Sequence, residues 1–219
     1  MPPQDRVLVI GGTGRTGRHV VNTLREEGRP LRVLVRDRAR AEELLGSGLD
    51  LVIGDALDLD LAPAFAGVAH VISTLGSRDV HGGGLRTVDL PATVRLVAAA
   101  KAADVARFVL CSTIGAVPTP GVPPHMLEWF APKGEAEAAL RDSGVPFAIV
   151  RPGGLADGPT TDPRMIDCRH VARALVDATT RADALDATFE LSNARLQQPG
   201  ADPTLGLHVT ARRPAPVPA

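Results

Sequence analysis

At 219 residues and a formal net charge of −1, the chain is long enough to bury a substantial core, and it carries no cationic field that would draw it to nucleic acid or to an anionic membrane surface. No apolar run approaches the length of a membrane span, and two cysteines, Cys111 and Cys168, are too few for a disulfide framework. Met1-Pro2-Pro3-Gln4-Asp5 runs directly into the first strand, so no signal peptide is expected and the chain reads as cytoplasmic.

Arg6 to Ile10 reads as the first strand and Arg15 to about Glu27 as the first helix, which Gly28 ends as a glycine C-cap. Between them lies Gly11-Gly12-Thr13-Gly14-Arg15-Thr16-Gly17. In this strand–turn–helix setting Gly11 makes the tight turn, Gly14 lets backbone approach a pyrophosphate, and Gly17 lets the helix close on the sheet. The bland alternative is a tight turn that binds nothing. Leu31 to Val35 is the second strand, followed by a helix over Arg38 to Leu45 that Asp37 is placed to cap. Leu49 to Ile53, Val68 to Ser73, Phe108 to Cys111, Phe147 to Val150 and Thr188 to Leu191 read as further strands. The intervening helices are expected at Leu59 to Ala66, Val88 to Ala102, Leu127 to Ser143 and Arg169 to Thr180, with Pro132 requiring a late start or a kink. A proline- and glycine-rich loop covers Gly115 to Pro124.

Strands alternating with helices predict an α/β fold, a Rossmann-type doubly wound parallel sheet in a single compact domain. Residues 1–192 are expected to form that domain, with a small lid from 115–129 and 151–168. Residues 193–219 are expected to be an irregular tail with at most one short strand, Leu205 to Thr210. The cofactor crevice should open at the carboxyl ends of the strands. Arg36 ends the second strand, about 20 residues beyond the glycine turn, where the ribose-reading residue belongs. An acid there would favour NAD, whereas a guanidinium offers a fork for the 2′-phosphate of NADP(H). Asp55, with Ala56 beside it, can accept from the adenine amino group or simply cap a turn, and Thr74, Leu75 and Gly76 can line the ribose and nicotinamide side.

Taken together, Gly11 to Gly17, Val35-Arg36-Asp37, Gly54-Asp55, Phe108 to Thr113, Lys133 and Val150-Arg151-Pro152-Gly153-Gly154-Leu155 resemble the atypical short-chain dehydrogenase/reductases. The chain is most similar to their compact NAD(P)H-binding branch, which includes flavin and biliverdin reductase-like enzymes and NmrA-like redox sensors. The resemblance implies that Thr113, with Ser112 beside it, is the catalytic hydroxyl. It also implies that Lys133 holds the nicotinamide ribose, and that Pro152, Gly153, Gly154 and Leu155 meet the carboxamide end. The family's tyrosine, four residues before the lysine, is Trp129 here, and the chain has no tyrosine at all. An indole donates a hydrogen bond but does not titrate usefully. Lys133 is one of only two lysines in a chain that otherwise uses arginine, which points to a need for a compact ammonium.

His81 and His125 fall in loops on the cofactor side and, with Met126 and Trp129, are candidates to meet substrate; a loop histidine is otherwise simply solvated. Cys111 reads as an inert core thiol, and no cluster has metal-ligand spacing. The expected function is therefore NADPH-dependent reduction of a flat carbonyl or quinone-like small molecule without a tyrosine, by a protein in which oligomerisation is possible. A non-catalytic NADP-sensing regulator and an epimerase or dehydratase using the cofactor transiently are the alternatives.

Overall fold

The computed structural model describes residues 5–77, 79 and 83–196, and the backbone of 208–212. Four-residue β1 (Val7–Ile10) is apolar throughout and wholly buried, as a strand covered on both faces must be. After it come α1 (Arg15–Glu26), β2 (Leu31–Val35), α2 (Arg38–Leu45), β3 (Asp50–Ile53), α3 (Ala62–Phe65) and β4 (His70–Ser73). A π-helical turn, Leu85–Asp89, then leads into α4 (Leu90–Ala102). The second half comprises β5 (Arg107–Cys111), α5 (Pro124–Asp142), β6 (Phe147–Pro152), β7 (Gly154–Ala156), β8 (Met165–Asp167), α6 (Cys168–Asp177), β9 (Ala187–Leu191), α7 (Asn193–Leu196) and β10 (His208–Arg212).

The main sheet runs β10-β9-β6-β5-β4-β1-β2-β3, parallel except for antiparallel β10 at the edge. Alternate residues of each strand feed two cores. Val7, Val9, Val33, Val109 and Val150 face α1 and α6, whereas Leu8, Ile10, Leu34, Phe108 and Ile149 face α3, α4 and Leu140 of α5. Fully burying a side chain such as Phe108 or Leu140 stabilises the fold by roughly 1.5–3 kcal/mol relative to exposure. Helices thus cover both faces, giving the expected doubly wound α/β sheet in one domain. No helix among the described residues is long and apolar enough to cross a membrane.

Three local expectations change. Helix α5 begins at Pro124 rather than Leu127 and runs through Pro132. Pro124 suits a first helical turn, where an N–H would be unpaired anyway, and buried Pro132 costs the helix one internal hydrogen bond that packing offsets. His125 therefore sits in the first turn of α5, not in a loop. The tail strand, described from His208, runs to Arg212, two residues past the expected end, and pairs with β9, while 205–207 lie outside the described residues. His81 lies outside the described residues.

Candidate functional site

Strand order reverses at β1, which has β4 on one side and β2 on the other. A cleft of about 600 Å³ opens at that point. It is lined by Gly11, Thr13 and Gly14 after β1, and by Arg36, Arg40, Asp55 and Ala56 beyond β2 and β3. Thr74, Leu75, Gly76, Ser77 and Asp79 line it beyond β4, with Val88, Asp89 and Ala92 from the π turn and α4. A second cavity, of about 620 Å³, lies between α3 and α4 among Leu61, Phe65, Ala98 and Ala102. It is away from the strand ends, and the Arg95 guanidinium at its edge already donates to the carbonyls of Ala56 and Leu59. The switch-point cleft, with its converging polar groups, is the candidate site.

The glycine turn is built for close approach. Gly11 has φ +77°, and a Cβ there would lie 2.9 Å from the Thr74 backbone. A Cβ at Gly17 would lie 2.1 Å from the Gly11 carbonyl oxygen. The Thr74 hydroxyl donates to the carbonyls of Ile10 and Gly11, so Thr74 fixes the turn as well as lining the cleft. Gly14 is the N-cap of α1. No side chain caps that helix, no acid stands in its first turn, and a Cβ at Gly14 would meet only the Gly11 carbonyl, at 3.1 Å. By contrast α2 and α6 are capped by Asp37 and Asp167. The free N–H groups and positive dipole end of α1 thus face the glycine turn with room beside them, which fits a pyrophosphate. The Thr16 side chain is turned away from this space. It is buried beside the Cys168 thiol of α6, because its place in the first turn of α1 faces that helix.

Arg36 is 78% exposed at its side chain and stands 3.6 Å from Asp55. Arg40, in the first turn of α2, lines the same end of the cleft. Asp55 caps the turn, one oxygen accepting the Leu57 N–H at 3.0 Å, and it lines the cleft. Arg15 reaches the other way, donating to the Leu155 carbonyl at 3.0 Å and to Asp157 at 3.1 Å, and so ties the lid to α1.

At the opposite end, Lys133 Nζ donates to the Leu75 carbonyl at 2.7 Å and lies 2.9 Å from Asp89 Oδ2. Thr113 is half-buried just after β5, its hydroxyl donating to the Ile114 carbonyl at 3.2 Å. Ser112 is buried beside Glu137, whose charge its hydroxyl favours, although it has no acceptor in good hydrogen-bond geometry. Trp129 is half-buried one turn before Lys133, and its ring meets His125 edge-on at 4.8 Å and 67°. Met126 is half-buried on the same helix.

Pro152 to Leu155 is engaged by protein. The Pro152 carbonyl accepts from Ile114, and the N–H groups of Gly153 and Gly154 donate to Leu191 and Arg164, all at 2.9 Å. A Cβ at Gly153 would lie 2.3 Å from the Arg164 carbonyl oxygen, and one at Gly154 would lie 2.4 Å from Met165 Sδ. The Arg164 backbone therefore requires glycine at 153, whereas at 154 the flexible Met165 side chain alone would have to move, and neither N–H is free for a carboxamide.

Sequence reasoning missed Arg40, Asp89 and a buried ion cluster. The signal for Arg40 was an arginine in the first turn of the helix that follows Arg36; for Asp89, an acid inside the apolar run Val88-Asp89-Leu90. In the cluster, fully buried Glu137 of α5 accepts two hydrogen bonds from Arg151 of β6, at 2.8 and 2.6 Å, and one from Arg141 at 2.8 Å. Burial works against the Glu137 charge, but its bonds to Arg151 outweigh it and hold the carboxyl below its ordinary range. Cys111 is a partly buried thiol at the end of β5, packed against the core, and desolvation pushes its pKa up to about 11.

Residues 11–190 match a family model described as NAD(P)H-binding. The chain is 28% identical to an NAD(P)H azoreductase of Xenophilus azovorans over 232 aligned positions, covering 95% of this chain and 74% of that protein. It is 33% identical to a photosystem II assembly factor of Cyanophora paradoxa over 69% of this chain, but spans only 46% of that longer protein. An anaerobillin reductase from Escherichia coli O157:H7 shares the fold, with a TM-score of 0.74 at 23% identity over 89% of this chain and all of that one.

Proposed function

The chain belongs to the NAD(P)H-binding family of atypical short-chain dehydrogenase/reductases, and from that premise we propose that it is an NADPH-dependent reductase of a flat, apolar carbonyl, quinone-like or azo acceptor. One observation carries the cofactor half of this reading: the uncapped N-terminus of α1 faces a glycine cradle, with Arg36 and Arg40 at one end of the same cleft. Arg36 and Arg40 present two guanidinium groups to a 2′-phosphate, Asp55 serves the adenine side, and Lys133 stands at the nicotinamide side. Reduced nicotinamide, when bound, supplies a hydride.

The chain's own residues must hold the negative charge that develops on the acceptor and let a proton reach it. We assign that donation to Thr113, two residues past β5, whose hydroxyl would turn from the Ile114 carbonyl to the developing charge. Trp129 cannot supply the proton, so water must, or the acceptor itself. That requirement favours acceptors whose reduced form spreads its charge over a conjugated system. His125, Met126 and Trp129 at the start of α5 offer such a ligand apolar contact and an edge-on ring pair. The similarity to an azoreductase supports the reductase reading.

Trp129 in the tyrosine's place, and the likeness to an assembly factor, favour one alternative: a regulator that binds NADPH without using it. Mixing the protein with NADPH and a panel of quinones, flavins, azo dyes and polycyclic ketones separates the two. A reductase oxidises one NADPH for each two-electron reduction of the acceptor. Tight cofactor binding with no oxidation by any acceptor means the regulator.

A further inference from the structure

Asp89 is an aspartate only 2% exposed at the edge of a site meant for an anionic cofactor, where a carboxylate is electrostatically unwelcome. Its surroundings explain its presence. The π-helical turn Leu85–Asp89 carries the Leu90 N–H back to the Leu85 carbonyl, which inserts an extra residue ahead of α4. Such turns re-aim side chains and recur at functional sites. The consequence is that one oxygen of Asp89 accepts the Ser77 N–H at 2.9 Å, and the other stands 2.9 Å from Lys133 Nζ. The same ammonium donates to the Leu75 carbonyl at 2.7 Å. Asp89 therefore joins α4, the loop leaving β4 and Lys133 of α5 at one point.

We propose that Asp89 is a positioning residue that fixes the Lys133 ammonium against the exit of β4 and so shapes the nicotinamide-side half of the cofactor site. The proposal rests on the reading that the cleft takes NADPH. A lysine is a flexible four-carbon stem with three rotatable donors, and left alone it has no fixed place. The Leu75 carbonyl takes one of those donors and the Asp89 charge holds the ammonium in place beside it, so that a remaining donor can point at a ligand. The adenosine end of the cleft, two strands away at Arg36 beyond β2, does not depend on this arrangement.

The test is a pair of titrations, with NADPH and with 2′,5′-ADP, which carries the adenosine end alone. They are made on wild type, Asp89→Asn, Lys133→Met and the double variant. Asp89→Asn keeps the shape and an acceptor for Ser77 while removing the charge that holds Lys133. Expected is a loss of roughly tenfold or more in NADPH affinity with 2′,5′-ADP affinity unchanged. The double variant should bind no more weakly than Lys133→Met alone, because both changes remove one interaction. Equal losses for both ligands would make Asp89 a structural residue, tighter NADPH binding would make it a repulsive charge, and additive losses would separate it from Lys133. Each of these overturns the proposal. If wild type binds neither ligand, the NADPH reading fails first and takes this proposal with it.

Discussion

One helical turn before Lys133, an indole stands where a phenol would titrate, and this substitution decides how the remaining groups must work. Thr113 is the hydroxyl left at the end of β5, and losing one oxyanion donor typically costs about 100- to 1000-fold in rate. Thr113→Val should cut turnover by that order with NADPH affinity little changed, measured as kcat beside a binding titration. Trp129→Phe should mainly raise KM, because the ring contributes apolar surface and its packing on His125. Abolished turnover with intact substrate binding would instead place the indole N–H in the chemistry. Beneath them, Glu137 is a buried charge held by Arg151 and Arg141. Glu137→Gln leaves Arg151, 7% exposed at its side chain, without the carboxylate it bonds and should destabilise the fold by about 3–5 kcal/mol in chemical denaturation. Lys133, Thr113 and Trp129 were singled out through the resemblance, because each falls on a motif position of the family. Asp89 could not, because its role depends on Lys133, which lies 44 positions further along and meets it only through tertiary packing.

Among elements, the glycine turn separates demands of the fold from demands of the ligand. At Gly17 a methyl group would collide with backbone, so Gly17→Ala should lower the thermal midpoint markedly even without cofactor. At Gly14 the space belongs to the cleft, so Gly14→Val should leave the circular dichroism spectrum native while NADPH binding collapses. The turn was legible because an apolar strand, the glycines and an amphipathic helix follow each other without a gap. The start of α5 was misread because four prolines and two glycines in 115–124 look like an extended loop, yet Pro124 is compatible with a first helical turn. The strands β7 and β8, three residues each, carry no periodicity that could announce them. The π turn before α4 was equally silent, since one inserted residue barely disturbs a helical pattern.

Across the whole molecule, chemistry gathers at the carboxyl ends of the strands, while the opposite edge carries a charged cluster that closes the sheet. There His70 of β4 lies 3.2 Å from Asp5, which Arg29 also holds, and Arg107 of β5 donates to the carbonyls of Ala178 and Arg181. Burial, with the nearby charges of Arg29 and Arg107, keeps His70 below its ordinary pKa despite Asp5. The unfolded chain therefore binds a proton at His70 before the folded chain does. Its contribution to stability is complete above about pH 6.5 and is lost as pH falls from there through the lowered folded value. Urea midpoints between pH 7 and 5 should fall more steeply for wild type than for His70→Gln; parallel slopes would mean that His70 does not titrate differently on folding. The doubly wound order was legible in the alternation of strands and helices, whereas this cluster was not, because it joins residues from five separate segments. The measurement that bears most directly on the central claim, an NADPH site at the switch point of this sheet, is a parallel titration of wild type and Arg36→Ala with NADPH and NADH. The expected result is saturable one-to-one binding with NADPH preferred, and a loss confined largely to NADPH in the variant, worth roughly 1.5–3 kcal/mol. No binding by wild type, or equal losses for the two cofactors in the variant, would contradict it.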